Sequence, residues 1–531
     1  LVLQGAVLVA LLIACLNLSN LLLVRSLSRA REVAVRVALG AGRAQALRGT
    51  LIEAGLLALL GGGLGLAVAD AVLRVAQALA PAGMRVAEAR LDLRVLGVSF
   101  LLALATTLVA ALLPSRLVSL VRPHEALRSV ERGLAAAPVL RFGRALLAAE
   151  VGLSLVLLVG GGLLLQSLRR LEAVDVGFET SRVLAATLNL PALRYPEPRQ
   201  RLAFFEELAR RVSALPGVES AAFANRFPLR GGWGTGILLD TSERTSERDY
   251  QPADAQAVSL RYFETLGVPL LRGRTLGPED HAGAPPVAVV NETFARHFFP
   301  AHEVVGRRFR RGPQAPWVEI VGVVADLRRD GQAAERKPGL YFAAAQTGLY
   351  PVPLSDLAVR SGLAKEALAL AIQKEVRALD PEQPLNRVET LQEALEAGLT
   401  SRRFAGLLLS SFAALALVLA MVGIYGVTAY SVSRRTSEMG LRLALGAPPL
   451  GLVRLVLGET GRSFVLGLAL GFAGALLLTR FLTSLLFATP PTDPATYAGT
   501  AALLAGAGLL AAALPAWRAS RVDPAVALRS E

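Results

Sequence analysis

Along this chain, long runs of apolar side chains alternate with short arginine-rich breaks, and only one central stretch departs from that rhythm. A helix that crosses a bilayer needs about 20 mostly apolar residues. Seven segments have that character, at roughly 1–24, 51–73, 95–115, 145–167, 404–430, 455–479 and 495–516. Residues 169–403 read instead as a mixed α+β domain of ordinary soluble composition. Alternating or β-branched runs predict strands in RVLAATLNL (182–190), PPVAVVN (285–291), VEIVGVVADL (318–327) and DLAVRS (356–361). PRQRLAFFEELARRVSAL (198–215) and AKEALALAIQKEVRAL (364–379) place apolar residues at helical period. The flanks 166–175 and 390–403 hold little Gly or Pro, and are expected to prolong the fourth and fifth spans outward as a helical stalk.

Composition agrees with a membrane protein, since 53% hydrophobic residues and a mean hydropathy of +0.48 are too apolar for an ordinary soluble chain of 531 residues. The net charge of +14 raises nucleic acid as a partner, and its distribution answers that. The loops 25–50, 114–144 and 431–454 with the tail from 518 hold 19 Arg against six acids, whereas 169–403 holds 31 basic and 29 acidic residues. The excess therefore lies beside membrane ends on one side, the positive-inside pattern that marks the cytoplasm. Nucleic-acid binding loses its support, because the one soluble domain is almost neutral. Alternation then puts that domain outside the cytoplasm. The outer loop 74–94, with Arg74, Arg85, Arg90 and Arg94 against Glu88 and Asp92, runs against the rule. Cys15, in the first span, is the sole cysteine, so the outer domain has no disulfide and relies on core packing.

The chain repeats itself. At an offset of 406, Glu32, Arg36, Ala38, Leu39, Gly40 and Ala41 fall on Glu438, Arg442, Ala444, Leu445, Gly446 and Ala447. The same offset brings Glu53 onto Glu459, Gly61 onto Gly467 and Gly65 onto Gly471. PSRLVSLVRPHEALRS from Pro114 matches PAWRASRVDPAVALRS from Pro515 at an offset of 401, the difference falling in a loop. Each copy is thus one inward span, a cytoplasmic loop, two further spans and an exit marked by proline. Copies of like orientation are expected to pack about an axis along the membrane normal. A span and the outer domain precede the second copy, so equal copies imply that a matching stretch of roughly 260 residues belongs upstream of Leu1, and that the chain is truncated.

In both loops Glu precedes Arg by four residues, the favourable order for an ion pair along a helix. Gly40 and Gly446 stand where a helix stop belongs. Setting topology needs arginines but no fixed spacing, so the repeated pair points to a docking role. Gly61 with Gly65, and Gly467 with Gly471, lie on one helical face and admit another backbone closely. Glu53, Glu150 and Glu459 fall in the first turns of spans, where an acid complements the helix N-terminus and reaches water, so a structural role is expected for each.

No catalytic, cofactor or metal residues emerge. A phosphate-cradling GxxxxGK[ST] loop needs Gly before Lys, and Lys337, Lys365 and Lys374 follow Arg336, Ala364 and Gln373. His281, His297 and His302 share the outer segment with Asp280, Glu292 and Glu303, but His297 and His302 are five apart and diverge on a helix, which favours ordinary surface histidines. Serine hydrolase and zinc protease signatures are absent from the sequence.

The loop SRAREVAVRVALGAGRAQALRGTLIEAGLLALLGGGLG, its partner from Arg434, NETFARHFFP…VGRRF (291–309) and the exit DPAVALRS resemble the MacB/FtsX-like ABC transporter permeases, and the duplication resembles their tandem, acidobacterial-type branch. The resemblance implies an α-helical integral membrane protein of the bacterial inner membrane, with about seven transmembrane helices in two parallel repeats and one large extracytoplasmic α+β domain. Its parts would be a first FtsX-like repeat at 1–130, a span and stalk at 145–168, a MacB-like domain at 169–403 and a second repeat at 404–531. It further implies a permease driven by a separate cytoplasmic ATPase, coupled through Glu32, Arg36, Gly40, Glu438, Arg442 and Gly446. Membrane lipid and an extracytoplasmic protein are the other expected partners, and export by mechanotransmission the expected activity. A membrane scaffold regulating an extracytoplasmic partner such as a cell-wall enzyme is the alternative, with a membrane-anchored hydrolase behind it.

Overall fold

The computed structural model of the chain describes residues 2–28, 43–79, 90, 92, 94–102, 104, 105, 107, 137–240, 250–300, 303–312, 314–346 and 352–521. It divides into two units, residues 1–170 with 402–531, and residues 171–401. The first unit opens with α1 (Val2–Ser28), α2 (Arg43–Leu79) and α3 (Ala137–Glu172). Among the described residues six helices, these three among them, are long and apolar enough to cross a membrane. The segment expected at 95–115 is helical at 94–102 and otherwise falls largely outside the described residues.

The second unit is α+β. In chain order it holds β1 (Val183–Thr187), α4 (Pro198–Ser213), β2 (Val218–Ala224), β3 (Trp233–Leu239), β4 (Gln251–Val258), α5 (Tyr262–Leu266), β5 (Leu270–Gly273) and β6 (Val287–Asn291). Then follow α6 (Glu292–Phe298), β7 (Arg308–Arg310), β8 (Val318–Val324), β9 (Gly339–Ala343), β10 (Asp356–Ser361), α7 (Lys365–Leu379) and β11 (Asn386–Thr390). Strands β4, β3, β7, β8, β6 and β9 close into a ring, because β9 also pairs with β4. The strands β11, β1, β10 and β2 form an antiparallel wing joined to that ring by the single pair Ala224↔Val258.

Strand chemistry follows this layout. In β6 and β9 every residue is buried, as a strand covered on both faces requires. Leu340 and Phe342 point into the ring with Phe294, Phe309 and Ile320. Tyr341 lies on the other face with Phe227, Tyr262 and Phe263, where the Phe227 and Tyr262 rings stack at 5.2 Å. On the wing, Phe205, Leu208 and Val212 of α4 and Leu368, Ile372 and Val376 of α7 recur at three- and four-residue intervals and cover Phe223, Leu357 and Val359. Helix α4 starts as its sequence dictates, with Pro198 in the first turn and a reciprocal cap between Glu197 and Gln200.

The chain returns to the first unit through α8 (Leu391–Arg434), followed by α9 (Thr436–Ala444), α10 (Pro449–Leu478) and α11 (Pro494–Ala519). Helix α11 continues one turn past Pro515, so the expected exit proline sits inside the helix. Helices α3 and α10 meet backbone to backbone. A Cβ built at Gly467 would stand 2.7 Å from the Ala148 carbonyl oxygen, and one at Gly471 2.8 Å from that of Gly152. Against α8, Gly161 faces Ala413, and the Ser154 hydroxyl donates to the Ala416 carbonyl at 3.3 Å. Asn17 of α1 donates to the Leu419 carbonyl at 2.8 Å. Lipid tails offer no hydrophobic drive between helices, so such close, small-residue contact is what holds a bundle together.

Gly471→Leu is therefore expected to lower the thermal midpoint of the solubilised full chain, an overpacking loss of about 1–3 kcal/mol. Gly499→Ala, on an open face of α11, is expected to leave it unchanged or raise it by up to ~1 kcal/mol through helix propensity. Intrinsic fluorescence during heating measures both, and equal midpoints for the two variants would contradict the packing account.

Candidate functional site

The repeated loop is visible in its second copy. Helix α8 ends at Arg434 and α9 starts at Thr436, whose hydroxyl donates to the Ser433 carbonyl at 2.8 Å. One side of α9 is apolar, with buried Met439 and half-buried Leu443 against Leu452 and Val456 of α10 and Ala516 and Ala519 of α11. Its other side carries Glu438 and Arg442, paired at 2.6 Å across one turn. Both are more than 40% exposed, so the pair contributes only a few tenths of a kcal/mol, about 0.3–0.5. Leu441 and Leu445 are also exposed, Leu445 at 79%.

The helix stop falls on Gly446. Its N–H donates to Leu443 at 3.0 Å and that of Ala447 to Arg442 at 2.9 Å, the paired bonds of a Schellman cap. The cap requires a left-handed residue, and Gly446 has φ +86°. Glu32, Arg36 and Gly40 of the first copy lie outside the described residues.

Glu459, on α10, ties this loop to the bundle. It accepts from Arg435 Nη1 at 2.8 Å, between α8 and α9, and faces Arg144 Nη2 of α3 at 3.7 Å. Glu150 corrects the expectation that it reaches water. Helix α3 begins at Ala137, so Glu150 lies several turns in, fully buried, its carboxyl against Gly423 of α8. Neither of its oxygens has a hydrogen-bond partner among the described residues. Glu53 lies on α2.

A family model for the FtsX-like permease C-terminal region matches the chain twice, at residues 5–120 and 410–524, and one for the MacB-like periplasmic core domain matches residues 153–379. The chain belongs to the MacB/FtsX-like ABC-permease family. Similar relatives include a macrolide export ATP-binding/permease protein MacB of Shigella sonnei, 27% identical over 52% of this chain and 44% of that protein. The MacB of an Azoarcus species is 25% identical over 66% of this chain and 52% of that protein, so the chain spans about half the length of the curated relatives it matches. A pyoverdine export protein PvdT of Pseudomonas savastanoi is 33% identical over 26% of the chain and 21% of that protein. Among solved structures, the periplasmic region of MacB from Actinobacillus actinomycetemcomitans aligns at 12% identity with a TM-score of 0.30, over 44% of this chain and 97% of that one.

As a MacB/FtsX-like permease, the chain is a multi-pass membrane protein whose large domain lies outside the cytoplasm. Of its four repeat glycines, Gly467 and Gly471 are packed against α3, whereas a Cβ at Gly61 or Gly65 would meet no described atom within 4 Å. His281 and His297 are exposed, and His297 packs its ring against Phe298. Sequence reasoning missed the Arg435–Glu459–Arg144 tie, since no spacing links the α8–α9 junction with α10 and α3. Leu441 and Leu445 were in plain view beside the ion pair, an exposed apolar flank on a charged helix. Gly446→Val forces a β-branched residue into the left-handed region at about 1–2 kcal/mol. Amide exchange across 436–447 is expected to quicken by roughly five- to thirty-fold, with no change for Gly461→Ala, where a Cβ meets nothing.

Proposed function

We propose that the chain is the permease subunit of a mechanotransmission-type ABC transporter of the bacterial inner membrane, driven by a separate cytoplasmic ATPase and serving export. The observation that carries this reading is α9: a short helix anchored by Met439 yet presenting Glu438, Arg442, Leu441 and Leu445 outward. A weak surface pair does little for stability, so its recurrence at 32 and 36 is better explained by what docks there. Positive-inside charge supports a cytoplasmic position for both loops. The names of the relatives, ATP-binding/permease export proteins, support a nucleotide-driven partner.

In this reading Glu32, Arg36 and Gly40 with Glu438, Arg442 and Gly446 form twin coupling helices of two like-oriented repeats of the tandem branch. Gly61 and Gly65 serve packing in the first repeat as Gly467 and Gly471 do in the second. Glu459 passes displacement of α9 to α3 and α10 through Arg435 and Arg144. In this reading ATP-driven closure of the membrane halves moves the outer domain rather than opening a central channel.

Reversing both loop charges, Arg36→Glu with Arg442→Glu, is expected to cut stimulation of the co-purified ATPase about tenfold or more, ~1.4 kcal/mol of docking energy, while the chain still inserts in the membrane. Unchanged stimulation in the double variant excludes the coupling role.

A further inference from the structure

The seam between wing and ring in the outer domain forms a half-open cavity of about 570 Å³, within the range of small-molecule sites. Three arginines line it. Arg201 Nε donates to the Tyr195 carbonyl at 2.8 Å, Arg226 Nη1 to that of Arg230 at 3.1 Å, and Arg311 Nε to the Thr235 hydroxyl at 2.8 Å. No carboxylate is among the lining residues, and neither Arg201 nor Arg226 pairs with one among the described residues. Asp356, next to the lining residue Ser355, accepts from Thr187 at 3.0 Å and is matched by buried Arg230 at 3.8 Å. It is already matched, so among the described residues the cavity keeps the positive charge of Arg201 and Arg226.

The rest of the wall is largely apolar, with Thr187, Asn189, Asn225 and Ser355 as neutral polar groups. Leu190, Val352 and Leu354 contribute aliphatic surface, and Trp233 an aromatic face, with the Arg311 guanidinium 4.5 Å from its ring centroid. Guanidinium groups suit planar, two-oxygen recognition of carboxylate, sulfonate or phosphate. An indole beside them suits a flat or aliphatic body.

We propose that this cavity is a binding site for a small organic anion, an acidic head on an apolar body. The head meets Arg201 and Arg226, and the body lies against Trp233 and Leu190. The site belongs to the outer domain alone, and binding is read without an ATPase, so it stands or falls independently of the transport reading.

Titration calorimetry of the full chain in lipid nanodiscs, with empty nanodiscs subtracted, tests it using naphthalene-2-sulfonate as the probe. One saturable site per chain is expected. Arg226→Gln is expected to raise Kd about tenfold or more, the loss of one charge-assisted contact. Asn189 lines the cavity and is exposed, so Asn189→Asp adds a negative charge without changing shape, and it is expected to do the same. Because the Asn189 variant is isosteric, it decides the matter even where Arg226→Gln folds poorly. Neutral naphthalene-2-methanol and inorganic phosphate are each expected to bind at least about tenfold more weakly than the probe. Absence of saturable binding overturns the proposal, as does an unchanged Kd in Asn189→Asp. Equal binding of the neutral compound removes the anion site, and equal binding of phosphate removes the apolar one.

Discussion

Helices inside a lipid bilayer gain nothing by hiding apolar surface from one another, so a bundle holds only where backbones come close enough for dense contact. Here that happens between α3 and α10, at Gly152, Gly467 and Gly471. No side chain longer than a hydrogen fits at Gly467 or Gly471 without displacing the carbonyl of Ala148 or Gly152. That contact fixes where α10 stands. Leu452 and Val456, which form the floor under α9, are residues of the same helix. The loop thus inherits its position from a pair of glycines some way along the span.

The loop needs little energy of its own once the floor is set. Met439 is buried, Gly446 closes the helix with two backbone bonds, and Glu459 receives Arg435 at 2.8 Å. What faces outward is not required for any of this. Glu438 and Arg442 are each more than 40% exposed, and an ion pair in water contributes at most about 1 kcal/mol. Such a surface tolerates substitution structurally, which is why charge reversal there separates docking from folding.

Spans and amphipathic helices were legible in the sequence because their signals are local: apolar length, helical period, and a glutamate four before an arginine. The strands β1, β6, β8 and β10 occupy runs rich in Val, Ile or Leu. Strands β2, β4 and β9 were not visible in VESAAFA, QPADAQAV and GLYFA, since alanine, glycine and proline disfavour strands; pairing with β10 recruits β2, and ring closure recruits β4 and β9. The arginine-lined cavity was equally hidden, because Arg201, Arg226 and Arg311 come from three separate segments. The Glu459 tie was hidden for the same reason.

Glu150 and Glu459 show how far apart two similar sequence positions can end. Both follow arginines into a span, yet Glu459 meets two guanidiniums while Glu150 is enclosed against Gly423. The difference comes from the facing helix, where glycine supplies neither a partner nor a side chain. At the repeat offset of 406, Gly423 corresponds to Asn17, whose Oδ1 is likewise buried without a partner among the described residues. Leaving a buried polar group unsatisfied costs roughly 1–3 kcal/mol, and a duplicated pair of helices has had the same opportunity to lose it twice. The two copies agree in sequence at the Glu–Arg pair and the following glycine, and they diverge at this polar layer. The α3–α10 seam is thus built on close glycine contacts, whereas the region where α1, α3 and α8 converge carries unsatisfied polar atoms of Glu150 and Asn17 within an otherwise apolar core.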